Sequence, residues 1–73
     1  MQKHKARELV RFGENVRKLR EEREWTQERL AEKASLDQTY ISGIERGERN
    51  VGVLNLLQLA RALKVRPGEL LPW

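Results

Sequence analysis

The stretch "TQERLAEKASLDQTYISGIERGERN", Thr26 to Asn50, holds two short helical segments separated by an interruption at Ser35, Leu36 and Asp37. Thr26 is a good N-cap, because its hydroxyl can accept from one of the free amides that begin a helix. Leu30, Ala31 and Ala34 follow at helical spacing and face inward, and the small side chain of Ala31 lets another helix come close. Asp37 offers a second side-chain cap. The segment it opens, about Gln38 to Arg46, is rich in poor helix formers: Thr39, Ile41, Ser42 and Gly43 all rank low. Packing through Ile41 and Ile44 therefore has to hold it. Gly47 then fits a left-handed C-terminal cap.

Two short helices, a small residue inside the first, a tight turn and a polar second helix anchored by isoleucines make a helix-turn-helix arrangement. The physical demand behind such a weak second helix is that it stand proud of the body. Its outer face can then enter a major groove, where short polar groups approach base edges.

Working outward, Leu9, Phe12, Val16 and Leu19 recur at steps of three and four and predict a helix over about residues 7–23. Arg11, Glu14, Asn15, Arg17 and Lys18 between them read as a solvated face. After Asn50, "VGVLNLLQLARAL" is helical in length but apolar on more than one side. Val53, Leu56, Ala60 and Leu63 form one stripe, and Leu54 and Leu57 lie off it. "RPGELL" predicts a last turn started by Pro67 that packs Leu70 and Leu71. An apolar patch left over at Leu54 and Leu57 predicts a homodimer, since a twofold interface uses one patch twice. Val51 and Trp73 are candidates to join that interface, with Trp73 equally able to cap the core.

A chain of 73 residues makes one domain with a modest core, and the absence of cysteine removes disulfides, Cys-based zinc sites and thiol nucleophiles. The net charge of +4 favours an anionic partner. Residues 1–20 hold seven Lys/Arg against two Glu, whereas Gln38 to Asn50 is nearly neutral, so that stretch is not mere electrostatic glue. No apolar run is long enough to cross a bilayer, and "MQKHKAR" is too polar for a secretory signal, so a cytoplasmic, membrane-free chain is expected. The single histidine, His4, lies in a basic segment, residues 1–6, expected to be a flexible tail, with no cysteine or carboxylate cluster beside it. No catalytic constellation, metal site or cofactor is expected.

The same stretch, with "VRKLREEREW" before it and "LLQLARALKV" after it, resembles the Cro and phage-repressor class of helix-turn-helix proteins, the Xre type. "LDQTYISGIERGERN" is especially similar to the controller proteins of restriction-modification systems. The resemblance implies an all-α, five-helix, lambda-repressor-like domain that regulates transcription as a dimer on double-stranded DNA, by occupying promoter DNA or contacting RNA polymerase. It implies base contacts from Gln38 and Thr39, with Ser42 one turn further on. A glutamine can pair with adenine, and a threonine methyl can touch that of thymine. Gln27 resembles the family's phosphate-contacting glutamine at a helix start. Arg49 and Asn50 should reach the backbone or the groove edge, and Tyr40 either stacks on sugar or base or packs with its hydroxyl outward. The resemblance also implies a buried ion pair between Arg20 and Glu45.

Several positions depart from the family's pattern. Ser35 and Glu24 stand where glycines are common, Val51-Gly52 replaces a frequent Pro-Ser, and Gly43 brings no side chain where relatives often read a base. A left-handed Ser35 carries a penalty on the order of 1 kcal/mol, which a remodelled turn would avoid. A competing expectation is an antitoxin-like or bridging protein-interaction module; its contacts would barely respond to salt, whereas phosphate contacts weaken steeply.

Overall fold

The computed structural model describes residues 6–71, so the expectations for Trp73 and for the tail up to residue 5 lie outside the described residues. Helix α1, Arg7–Glu22, starts at Ala6, whose carbonyl accepts from the amides of Leu9 and Val10. Helix α2, Gln27–Ala34, is capped by the Thr26 hydroxyl, which accepts from the Arg29 amide at 3.0 Å. Helix α3, Gln38–Glu45, is capped by the Asp37 carboxylate, which accepts from the Thr39 amide at 3.0 Å. Helix α4, Val53–Leu63, and a 3-10 helix, Pro67–Leu70, complete an all-helical fold, with no strand among the described residues.

The turn between α2 and α3 keeps its geometry in spite of the missing glycine: Ser35 sits in the left-handed region at φ 58°, and Glu24 at φ 59° does the same before α2. Both L-residues accept a steric cost that glycine would avoid. Gly47, at φ +76°, ends α3 in the expected left-handed conformation, and a Cβ there would lie 2.8 Å from the Val10 backbone.

Phe12, Val16, Leu30, Ala31, Ala34, Ile41, Ile44, Leu59, Ala60, Leu63 and Leu70 form one core. The stripe expected on α4 needs correction. Val53 is 70% exposed, while Leu59, not assigned to the stripe, is fully buried. Leu56, Leu59, Ala60 and Leu63 are the inward arc, because Val53, at the start of the helix, points to solvent with Leu54. The close approach that fixes α3 runs through Gly13, which is buried in mid α1. A Cβ at Gly13 would stand 2.9 Å from the Glu45 carbonyl oxygen and nearer still to that of Ile44. Only hydrogen at this position lets the α1 backbone bear directly on the end of α3.

Candidate nucleic-acid interface

Ile41 and Ile44 are 0% and 1% exposed, so they pin one side of α3 into the core and turn Gln38 and Thr39 to solvent at its first turn. The Asp37 cap fixes where that turn begins. Ser42, one turn on, is half-buried, and its hydroxyl accepts from the Arg46 guanidinium, which leaves the hydroxyl proton free to donate. Arg46 also pairs with Glu48 at 3.1 Å on the open surface.

Past the helix, Arg49 is exposed and lies along the edge of α3. Its guanidinium lies over the Tyr40 ring, 5.5 Å from the centroid, within the range of a cation–π contact. Its methylene chain runs so close to Gly43 that a Cβ there would be 3.0 Å from Arg49 Cγ. The space left by the missing side chain at Gly43 is thus filled by Arg49. The Tyr40 hydroxyl accepts from Asn55 Nδ2 at 3.0 Å, so tyrosine, arginine and asparagine form one cluster on the edge of α3. Asn50 is exposed beside it.

Three elements meet at Glu45. Arg20 donates from Nε to Oε2 at 2.7 Å and from Nη2 to Oε1 at 2.9 Å, and its Nη1 donates to the Trp25 carbonyl at 2.7 Å. The two side chains are 11% and 3% exposed. The hydrogen bond to Glu45 raises the arginine's pKa above its ordinary value, although burial works against this. Gln27 joins the group, because its Nε2 donates to Glu45 Oε1 at 3.0 Å. One N–H of its amide is thereby spent within the chain, and the second N–H is what it has left for a phosphate, since the carbonyl oxygen accepts just as phosphate oxygens do.

On the opposite flank of α4, Val53, Leu54 and Leu57 are 70%, 77% and 37% exposed, and Val51 is half-buried. Leu57 also lines a shallow apolar hollow with Ala60, Val65 and Pro67. Among the described residues no group of His, Cys, Asp or Glu is arranged to hold a metal ion, and no helix is long and apolar enough to cross a membrane.

Asn55 and Gly13 were missed in the sequence. Asn55 carries a visible signal, a lone amide inside the apolar run "VLNLL", which needs a partner when half-buried. Gly13 carries none beyond being a poor helix former in mid-helix.

A family model described as Helix-turn-helix matches residues 16–70. The restriction-modification controller protein C.AhdI from Aeromonas hydrophila superposes with a TM-score of 0.83 at 48% identity, over 85% of this chain and 94% of that one. Control protein C.BamHI of Bacillus amyloliquefaciens is 46% identical over 61 residues, 82% of this chain and 75% of its own length. The controller protein C.Esp1396I, solved as a tetramer in complex with its natural 35 base-pair operator, matches at 43% identity with a TM-score of 0.75, over 80% of this chain and 76% of that one.

Proposed function

We propose, since this chain belongs to the helix-turn-helix family, that it is a sequence-specific, duplex DNA-binding transcriptional regulator of the kind that controls restriction-modification systems. It works in the cytoplasm as a twofold dimer on an inverted repeat, by occupying promoter DNA or by contacting RNA polymerase beside it. The observation that carries this reading is the division of α3: Ile41 and Ile44 are wholly buried, and Gln38 and Thr39 are exposed at its first turn.

Each role follows from side-chain chemistry. The Gln38 amide has a donor and an acceptor to match N7 and N6 of adenine, the Thr39 methyl suits a thymine methyl, and the Ser42 hydroxyl keeps one proton to donate. Gln27, at the first position of α2, offers an N–H to a phosphate where the helix dipole favours an anion. Arg49, Tyr40 and Asn50 line the groove edge or the backbone. Val51, Leu54 and Leu57 join two copies, which sets the recognition helices about 34 Å apart, one turn of duplex. The operator complex of C.Esp1396I supports this reading.

Selection of bound duplexes from a random pool tests it. Inverted repeats should be enriched. Gln38→Ala should relax preference at one base pair per arm, and Gln27→Ala should weaken all duplexes alike. A pool that gains no common sequence after repeated rounds would reject the reading.

A further inference from the structure

We infer that Asn55, on α4, is a positioning residue for DNA reading: it holds the Tyr40 hydroxyl by its oxygen, so that the phenol proton is left for an acceptor oxygen on the duplex. The inference rests on the DNA-binding function proposed above. A phenol has a single proton and accepts through its oxygen lone pairs. Asn55 Nδ2 is a donor only, and it reaches Tyr40 Oη at 3.0 Å. The hydroxyl proton must then point away from α4.

The ring itself is fixed from a second side by the Arg49 guanidinium, 5.5 Å from its centroid. Tyr40 is therefore clamped between a residue of α4 and one from the loop after α3, and it directly follows the exposed Gln38 and Thr39. A phenol held at both face and tip presents its one donor in a fixed direction. Asn55 has little other reason to be polar, since Val53, Leu54, Leu56 and Leu57 surround it in sequence. A half-buried amide in an apolar helix is costly unless it is bonded. It also stands next to Leu54, 77% exposed, so the element that joins two copies is the one that aims the tyrosine.

A coupling experiment decides it. Dissociation constants are measured by fluorescence anisotropy at one fixed salt concentration, on a selected inverted-repeat duplex and on a scrambled one, for wild type, Asn55→Ala, Tyr40→Phe and the double variant. Each single change is expected to weaken the selected duplex about three- to tenfold, and the double variant should be no weaker than Tyr40→Phe alone. A base-edge acceptor confines the loss to the selected duplex, whereas a phosphate acceptor spreads it over both. Sedimentation should be unchanged in Asn55→Ala, and melting temperature should fall by only the few degrees that one lost hydrogen bond costs; a merely structural role would weaken binding equally in the Tyr40→Phe background. Asn55→Ser, which keeps a short donor, serves as the second variant and should lie between wild type and Asn55→Ala. Wild-type affinity in Asn55→Ala, or losses that add in full in the double variant, overturn the inference alone. A wild type with no preference between the two duplexes removes the functional reading as well.

Discussion

Replacing Gly13 with alanine sets two physical effects against each other. By helix propensity alone, Gly13→Ala in the middle of α1 should stabilise the chain by about 0.8–1.0 kcal/mol. Packing against α3 points the other way. The new methyl would stand 2.9 Å from the Glu45 carbonyl oxygen and nearer still to that of Ile44. Ordinary carbon–oxygen contacts begin at about 3.3 Å, so the end of α3 must retreat by roughly half an ångström or more. That end carries Ile44, 1% exposed, and the carboxylate held by Arg20 at 2.7 and 2.9 Å. Overpacking costs about 1–3 kcal/mol, and a loosened buried charge pair adds to it, so the net expectation is a loss of about 2 kcal/mol. For a domain this small that is a fall in melting temperature of about 8–16 °C, read by circular dichroism. Gly68→Ala is the control, because nothing lies within 4 Å of its Cβ position, and it should melt close to wild type. A Gly13→Ala variant that melts at or above the wild-type temperature would refute the reasoning.

Glu45→Gln should cost about 3–5 kcal/mol by stranding the Arg20 guanidinium, while the joint change Arg20→Met, Glu45→Met should cost much less; equal melting temperatures for the single variant and wild type would show that the pair contributes nothing. Ser35→Gly should raise stability by about 0.5 kcal/mol, because relief of the left-handed strain, about 1–2 kcal/mol, exceeds the greater freedom glycine gives the unfolded chain. Thermal unfolding should show this as a gain of a few degrees, and a lower melting temperature would mean that Ser35 is not strained. Leu54→Glu should sediment as a monomer at micromolar concentration, with melting little changed, since the side chain is 77% exposed. A variant that still dimerises would move the interface elsewhere.

Much of the fold was legible because the signals were local. Thr26, Asp37 and Gly47 end or begin helices through bonds and torsions within a few residues, and all three do so where the pattern predicts. Helix α4 was misread at Val53 and Leu59 because a helix apolar on several sides does not say which side its neighbours cover. The exposed placement of Gln38 and Thr39 followed from the isoleucine spacing. What Gln27, Arg49 and Tyr40 touch did not: Glu45 and Asn55 lie 18 and 15 positions from Gln27 and Tyr40 and meet them only through packing of α2, α3 and α4, and the return of Arg49 over Gly43 depends on the course of the loop after α3. Gly13 was silent for the same reason: a close approach belongs to two helices, and only one is visible at a time.

With hydrogen alone at Gly13 between α1 and the end of α3, one backbone bears directly on the other. Leaning α3 toward an imperfect target would have to open that contact. Duplex steps that roll, kink or narrow at little cost offer the easier accommodation, so that stiffness of the nucleic acid would enter what this chain selects.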